Sequence, residues 1–244
     1  MVSPLNFLLI LAGGSGQRMG NIDMPKQFLL LDNKAILLHT LEKFFVFEHE
    51  IDKVFVATHP GWIAYTKDLI TKNFKEKSGF FEVITGGDTR HQTVKIGLEH
   101  IQKNCTISQD DIILTHDAVR PFISYRIIKE NIEGARKWGA VDTVIPATDT
   151  IVYSTDGVKI TDIPKREEYY QGQTPQSFFI KDLIDVYSQF SSEQLEATTD
   201  VAKLYRLLGK SVNLVVGEQS NMKITTPFDL SIARALLERN DLDD

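Results

Sequence analysis

Cysteine, histidine pairs and positive charge are all scarce in this 244-residue sequence. Cys105 is the single cysteine, so no disulfide can form within the chain. The six histidines are scattered, with no His-x-x-x-His pair or Cys/His cluster, which gives a zinc site little support. With 27 Lys and Arg against 33 Asp and Glu, the formal net charge is −6. Because nucleic acids and anionic membranes bind basic surfaces, we expect neither as a partner, although a local cationic pocket is compatible with this balance.

Long hydrophobic runs are absent as well. The apolar segment Phe7–Ala12 is far too short to span a bilayer. It also lacks the basic leader and the small-residue cleavage site of a signal peptide. We therefore expect a cytoplasmic protein.

What the sequence does contain is a regular alternation of apolar runs and helix-like stretches. The first run, Asn6–Ala12, ends in glycines and is typical of a strand buried on both faces of a parallel sheet. Further strands are predicted at 53–58, 81–85, 111–115, 140–145 and 211–216, and helices at 36–45, 64–72, 93–101, 127–138, 181–190, 199–208 and 229–238. The alternation predicts βαβ units with right-handed crossovers, and hence an α/β fold with a doubly wound, mostly parallel sheet.

The pattern changes after Pro146. The segments 150–153 and 158–160, joined by an Asp156-Gly157 turn, predict a β-hairpin outside the main sheet. Its middle is too polar to form a core, so we expect this protruding arm, residues 147–172, to cover a second subunit. With no internal repeat or low-complexity linker, we predict one domain spanning residues 1–244 plus the arm.

A glycine-rich turn, Leu11-Ala-Gly-Gly-Ser-Gly-Gln-Arg-Met-Gly20, follows the first predicted strand. Such a turn lets backbone N–H groups approach a phosphate closely, although a plain tight turn has the same composition. It is not a Walker loop, because Gly16 is followed by Gln17-Arg18 and not by Lys and a hydroxyl residue. It is not a dinucleotide fingerprint either, because its glycine spacing is one residue too long. An NAD(P)-dependent reductase is therefore disfavoured.

Two cations follow the glycines: Arg18, and Lys26 within Pro25-Lys26-Gln27-Phe28. Fixed cations lower the barrier to nucleotidyl transfer, because negative charge develops on the α-phosphate as pyrophosphate departs. The whole string resembles the opening of the sugar-nucleotidyltransferase superfamily. Its Pro-Lys-Gln form resembles the branch that contains methylerythritol-phosphate and ribitol-5-phosphate cytidylyltransferases. The resemblance covers nearly the whole chain and implies a Rossmann-like nucleotidyltransferase fold acting on CTP and a polyol phosphate.

The resemblance also implies site residues. Arg18, Lys26 and Lys223 would be the catalytic cations at the α-phosphate. Two glycine loops would bind the nucleotide, through Leu11, Ala12, Gly13, Gly14, Gly16, Gly87, Asp88, Arg90 and Thr93. Arg90 could instead order its own loop, and Thr93 could simply cap a helix.

The segment Thr115-His-Asp-Ala-Val-Arg-Pro-Phe122 follows a buried strand, and ligands of open α/β sheets bind beyond the carboxyl ends of strands. A carboxylate there can hold Mg²⁺ with phosphate oxygens, and an arginine can grip a phosphate with two N–H groups. The alternative is an Asp–Arg pair that only stabilises the loop. The resemblance makes Asp117 the metal ligand and Arg120 a contact to the substrate phosphate, while His116 is taken as structural.

The resemblance further implies a homodimer in which each arm crosses to its partner. Thr150 and Arg166 would then contact the polyol phosphate in the neighbouring site, and Thr174 would lie near the site of its own chain. The acceptor's phosphate oxygen would attack the α-phosphorus of CTP in line, so catalysis would consist of positioning and charge stabilisation. A regulator that binds CTP without turnover is the other rival. Retention of all the charged site residues disfavours it.

The acceptor stays open between two branches. Val119 and the segment Tyr170-Gln-Gly-Gln-Thr-Pro-Gln176 favour ribitol 5-phosphate over 2-C-methyl-D-erythritol 4-phosphate. The segment Thr199-Asp-Val-Ala-Lys203 matches the ribitol branch only in part. Other pentitol phosphates therefore remain alternatives.

Overall fold

The computed structural model describes residues 3–14, 24–77 and 79–238. In chain order its strands are β1 (Asn6–Ala12), β2 (Leu30–Leu31), β3 (Lys34–Ala35), β4 (Lys53–Thr58), β5 (Phe81–Thr85), β6 (Ile112–Asp117), β7 (Ala140–Pro146), β8 (Tyr170–Phe179) and β9 (Asn213–Val216). Its helices are α1 (Ile36–Phe45), α2 (Ile63–Asn73), α3 (Arg90–Asn104), α4 (Tyr125–Trp138), α5 (Ile180–Ser188), α6 (Ser192–Glu196), α7 (Val201–Leu207) and α8 (Pro227–Glu238). None of the described helices is long and apolar enough to cross a membrane.

The main sheet has the order β5-β4-β1-β6-β8-β7-β9. Every strand runs in the same direction except β8, which is antiparallel to both β6 and β7. The predicted doubly wound, mostly parallel sheet is therefore confirmed. From β1 the chain goes outward to β4 and β5, then returns to β6 on the other side of β1. The strand order reverses between β1 and β6, and ligands of open α/β sheets bind in the crevice at such a reversal.

Helices cover both faces of the sheet, so the central strands are buried on both sides. Alternate residues of β1 belong to two different cores: Leu8 and Ile10 pack with α1 and α4, and Phe7 and Leu9 pack with α3, α5 and α7. Helix α3 lies especially close to β1. A Cβ at Gly97 would come within 2.7 Å of a methyl carbon of Leu9.

Strand β8 lies in the middle of the sheet, although the sequence did not predict it. Pro175 and the glutamines around it argue against a central strand, because proline cannot donate a ladder hydrogen bond. The structure places Pro175 where the pairing is interrupted: Gln176 pairs with Asp142, and the next pair is Gly172 with Val144. The extra residues of β8 in this bulge accommodate the proline.

The arm differs from a regular hairpin. Its turn forms as predicted, with the Asp156 carboxylate accepting the backbone N–H groups of Val158 and Lys159 at 2.9 Å each. Its flanks form one isolated β-bridge, between Tyr153 and Asp162, and not the two predicted strands. The smaller corrections are α6 and the β2–β3 hairpin, neither of which was predicted.

Candidate active site at the strand reversal

A cleft opens at the carboxyl ends of β1 and β6, where the strand order reverses. It has a volume of about 200 Å³ and is lined by Leu11, Gly13, Gly14, Lys26, Gln27, Gly87, Asp88, Thr89, Arg90, Thr93, Asp117, Ala118, Val119 and Lys223. Most of the predicted nucleotide and catalytic residues are therefore brought together. Arg18 and Gly16 lie outside the described residues, so their predicted roles stay predictions.

Two glycine loops meet on one side of the cleft. A Cβ at Gly13 would lie 3.3 Å from the Thr93 hydroxyl and 3.4 Å from the Gly87 carbonyl oxygen. A Cβ at Gly87 would lie 2.5 Å from Cβ of Gln92, closer than the two atoms can approach. The Thr93 hydroxyl accepts the Gly87 N–H at 3.1 Å and so ties the second loop to α3. Thr93 is not the helix cap, because Thr89 caps α3 by accepting the Gln92 N–H.

Lys26 reaches the cleft because its two neighbours are anchored. It begins a single 3₁₀ turn, Lys26–Phe28, in which Gln27 and Phe28 are buried. The Gln27 amide donates to the carbonyl oxygen of Ala12 at 2.6 Å, which ties the turn to the end of β1. The Phe28 ring packs against Trp62 with a centroid distance of 5.1 Å.

Asp117 is the last residue of β6 and pairs with two cations, Arg120 and Lys223. Its Oδ2 accepts from Nε of Arg120 at 3.1 Å and forms an ion pair with Nζ of Lys223 at 3.0 Å. Burial by itself would raise the pKa of the Asp117 carboxyl. The charges of Arg90, Lys223 and Arg120 outweigh burial and hold that pKa well below its usual range. Asp117 is therefore ionised whenever the protein is folded near neutral pH.

Arg120 forms an ion pair with Asp117 and is only 8% exposed. Besides its bond to Asp117, its guanidinium donates to the carbonyl oxygen of Asn221 at 2.7 Å. In this arrangement Arg120 braces the Asp117 loop against the segment that carries Lys223. The predicted contact between Arg120 and the substrate phosphate stays a prediction.

Thr174 and His116 form a chain of hydrogen bonds that fixes the Asp117 loop. The Thr174 hydroxyl accepts the Asp117 backbone N–H at 3.1 Å and lies 3.0 Å from Nδ1 of His116, while Nε2 of His116 lies 3.1 Å from the Arg120 carbonyl oxygen. Complete burial lowers the pKa of His116 to about 4, so the ring is neutral. Because a carbonyl oxygen only accepts, the proton is on Nε2 and Thr174 donates to Nδ1.

The segment 221–224 is joined by hydrogen bonds to the Asp117 loop and to β8. The Ile224 N–H donates to the Val119 carbonyl oxygen at 2.9 Å, and the Asn221 amide donates to the Thr174 carbonyl oxygen at 2.9 Å. These bonds place Lys223 in the cleft, although it lies more than 100 residues after Asp117 in the sequence. Its side chain remains 37% exposed, so the ammonium can meet a ligand.

The arm residues lie apart from this cleft. Thr150 is exposed on the arm, and Arg166 donates to the Thr148 carbonyl oxygen at 3.0 Å. Neither residue lines the cleft of its own chain. Their predicted role in a partner's site stays a prediction.

Several residues of the site were missed by the sequence reasoning. Gln27 and Thr89 lie inside predicted blocks, but they were treated as spacers between the charged residues and glycines. Gln176 was quoted only for its resemblance, although its buried side chain contacts Arg90. A cue was present in each case, since a glutamine buried within a motif needs hydrogen-bond partners.

The part of the chain that the structure describes contains no ready-made metal site. Among residues 3–14, 24–77 and 79–238, no group of three or more His, Cys, Asp or Glu side chains could hold an ion. Mg²⁺ does not need such a group when phosphate oxygens supply most of its ligands. The ionised carboxylate of Asp117, in the cleft, fits this requirement.

Comparison with known proteins identifies the family. The family model described as IspD, 2-C-methyl-D-erythritol 4-phosphate cytidylyltransferase, matches residues 7–239. The crystal structure of 4-diphosphocytidyl-2C-methyl-D-erythritol synthase from Anaerococcus prevotii is similar, with 28% identity and a TM-score of 0.78 over 97% of this chain and 99% of that one.

Two further structures, both of 2-C-methyl-D-erythritol 4-phosphate cytidylyltransferase, agree with this result. The Francisella tularensis protein has 28% identity and a TM-score of 0.74 over 95% of this chain and 99% of that one. The Thermus thermophilus protein has 28% identity and a TM-score of 0.71 over 94% and 98%. The chain therefore belongs to the IspD family and is a nucleotidyltransferase of the cytidylyltransferase class that uses CTP.

Proposed function

We propose that this cytidylyltransferase joins CMP from CTP to D-ribitol 5-phosphate, giving CDP-ribitol and pyrophosphate. The observation that carries the CTP chemistry is the cleft itself, in which Lys26, Arg90 and Lys223 face a strand reversal beside two glycine loops. The whole chain has a net charge of −6, so this concentration of positive charge is local. A triphosphate is the kind of ligand that such a cleft favours.

The choice of acceptor rests on two segments that resemble the ribitol branch. Val119 lines the cleft, and residues 170–176 form the first part of β8, which carries Thr174 to the Asp117 loop. Val119 and Thr174 both lie beside Asp117, which supports an acceptor phosphate that binds near this residue. The alternative acceptor is 2-C-methyl-D-erythritol 4-phosphate, which is the substrate named for the family and for the similar structures.

In the proposed reaction, an oxygen of the acceptor phosphate forms a bond to the α-phosphorus of CTP as the bond to pyrophosphate breaks. A phosphate is already ionised near pH 7, so the chain need not supply a general base. Lys26 and Lys223 stabilise the charge that develops on the α-phosphate and the leaving pyrophosphate, together with Arg18. Asp117 holds Lys223 in place through their ion pair.

We propose that Asp117 also holds Mg²⁺, together with the triphosphate. Among the described residues, Arg120 and Lys223 both contact Oδ2 of Asp117, so we assign Oδ1 to the metal. When bound, the ion would neutralise charge on the triphosphate and align it. Chelation with EDTA should abolish turnover, and added Mg²⁺ should restore it.

We propose further that two copies of the chain associate through their arms. The arm exposes apolar side chains that a single chain leaves uncovered, including Val158 at 85%, Ile160 at 62% and Ile163 at 56%. Such a cluster is typical of a surface that a partner covers. Thr150 and Arg166 would then complete the partner's site.

The test of the acceptor is pyrophosphate release with CTP and Mg²⁺, comparing ribitol 5-phosphate with methylerythritol 4-phosphate. We expect kcat/KM to favour ribitol 5-phosphate by at least about tenfold, which is the discrimination of roughly one well-placed hydrogen bond. Preference for methylerythritol 4-phosphate would replace the proposed acceptor with the alternative. Release with neither would refute both.

A further inference from the structure

A cluster of one buried and two half-buried polar side chains lies behind the wall of the cleft, and the proposed chemistry does not use it. Asp142 on β7 and Asp200 at the start of α7 face each other across Gln176 of β8, which has no exposed surface. The Gln176 amide nitrogen donates to Oδ1 of Asp142 at 3.0 Å and to Oδ2 of Asp200 at 2.9 Å. The two acids therefore accept hydrogen bonds from both N–H groups of the Gln176 amide.

This arrangement fixes which way the amide points. A flipped amide would set its oxygen against the Asp200 carboxylate and its N–H groups against the Arg90 guanidinium, so the hydrogen bonds to both residues would be lost. In the observed orientation, Oε1 of Gln176 accepts from Nη2 of Arg90 at 3.2 Å. The two acids thus hold the amide oxygen toward Arg90.

Arg90 needs such support. It is the first residue of α3, where the helix dipole disfavours a positive charge. Its Nε is buried and has no hydrogen-bond partner among the described residues. Its side chain nevertheless lines the cleft, and its charge is one of those that lower the pKa of Asp117. The acidic pair behind Gln176 offsets the unfavourable position of this cation.

We propose that Gln176, held in orientation by Asp142 and Asp200, is a positioning residue that keeps the Arg90 guanidinium at the wall of the cleft with N–H groups available to the bound CTP. This inference rests on the proposed CTP site but not on the identity of the acceptor. It assigns a function to three residues that touch neither substrate. It also explains why a central strand carries a buried glutamine between two acids.

The decisive measurement is the affinity for CTP, by titration calorimetry with Mg²⁺ and no acceptor. Gln176→Leu removes the amide and should raise the Kd for CTP by about tenfold, the effect of losing a hydrogen bond to a charged group. The matched control is Ser177→Ala, the next residue of β8. Ser177 is also fully buried, and it points to the other face of the sheet, where its hydroxyl donates to Asn131 at 2.9 Å. This control should lower the unfolding temperature but leave the Kd unchanged.

A double variant separates positioning from packing. In Gln176→Glu with Asp200→Asn, amide and carboxylate exchange places: the new asparagine can still cap α7 and donate to the new glutamate, which accepts from Arg90. The titrations are made at pH 6, where Asp142 is protonated and its carboxyl donates to the same glutamate. We expect this pair to bind CTP within about threefold of the unmutated chain, with Asp200→Asn alone weaker than the pair. The comparison of these two variants decides the question even if Gln176→Leu does not fold.

Three outcomes would overturn the proposal: an unchanged Kd in Gln176→Leu, equal losses in Gln176→Leu and Ser177→Ala, or a double variant no better than Asp200→Asn. Failure of the proposed function looks different. In that case the unmutated chain would bind CTP but release no pyrophosphate with any acceptor, or would bind no CTP at all.

Discussion

Lys26 has a defined position because the residues beside it are buried and bonded. Gln27 is tied to the end of β1, and Phe28 packs among aromatic rings. Ordering a mobile surface lysine around a substrate costs conformational entropy. Lys26 is already positioned before the substrate binds, so less of this cost remains. The motif around Lys26 is therefore a device for placing one ammonium group.

Replacing that group tests its part in the reaction. Lys26→Ala should lower kcat by a factor of about 10²–10³, the scale for losing one preorganised donor to a developing charge. Lys34→Ala is the control, because Lys34 pairs with Glu42 at 2.7 Å, outside the cleft. Steady-state kinetics with saturating CTP checks the result, and near-normal turnover in Lys26→Ala would remove this residue from the mechanism.

Asp142 gives a prediction about stability and pH. Burial and the neighbouring Asp200 raise the pKa of Asp142 to about 7 from the usual 3.8. The folded chain therefore keeps this proton between those values while the unfolded chain loses it. The stabilisation is fully present below pH 3.8 and is lost as the pH rises through about 7.

Asp142→Asn removes this dependence, so the free energy of unfolding of the variant should rise relative to the unmutated chain as the pH increases from 4 to 7. Urea titrations at several pH values measure it. The pKa of His116 is lowered by burial, which gives the opposite slope, but His116 is present in both proteins and cancels in the difference. Asp149→Asn, on the exposed arm, serves as the control and should show no such trend. A constant difference across this range would contradict the assigned shift.

Sequence reasoning at this scale found the charged residues but not their partners. Lys26, Asp117 and Lys223 were all predicted, and all line one cleft. The contact between Lys223 and Asp117 joins two distant segments, and its geometry depends on backbone bonds that no local pattern encodes. Gln176 was overlooked for the same reason, because its partners come from β7, α3 and the start of α7.

At the scale of elements, the two glycine loops depend on close backbone approach. Gly87→Ala should weaken CTP binding by about tenfold or more, because the new methyl group would overlap Gln92 and push the loop away from Thr93. Gly79→Ala is a matched control, since a Cβ there would meet nothing within 4 Å. Titration calorimetry compares the two variants. Equal affinities would mean that the loop does not need its present geometry.

The strands buried on both faces were the easiest elements to predict. For β1, β4 and β5 the predicted bounds match the structure, because an uninterrupted apolar run leaves little alternative in an α/β chain. Strand β8 was missed because its first part is polar and contains a glycine and a proline. It is stabilised by pairing with β6 and β7 on both sides, which local propensity cannot express.

At the scale of the whole molecule, the arm is proposed to contact the acceptor through Arg166. Arg166→Ala should raise the KM for the polyol phosphate by about tenfold or more, as expected for a lost charge-assisted contact, and should leave the KM for CTP nearly unchanged. Equal effects on both constants would end the assignment of Arg166 to the acceptor.

Mixing two impaired variants, with the polyol phosphate well below its KM so that both have little activity, tests whether the arm acts on its partner. In a heterodimer of Lys26→Ala and Arg166→Ala, one site would have an intact Lys26 and receive an intact arm from the other chain. Random exchange makes half the dimers mixed, so about a quarter of the unmutated activity should return. No recovery after verified subunit exchange would mean that each arm serves its own chain.

The contrast between an acidic molecule and its cationic cleft has a kinetic consequence. The net charge of −6 repels large polyanions over distances comparable with the Debye length, about 8 Å at physiological salt. A small anion that comes within a few ångströms of Lys26, Arg90 and Lys223 meets the opposite field. The protein would therefore bind small anions such as free nucleotides and repel large polyanions such as nucleic acids. The preference for free CTP over nucleic acid would then narrow as salt is added, because salt screens the long-range repulsion more than the short-range attraction.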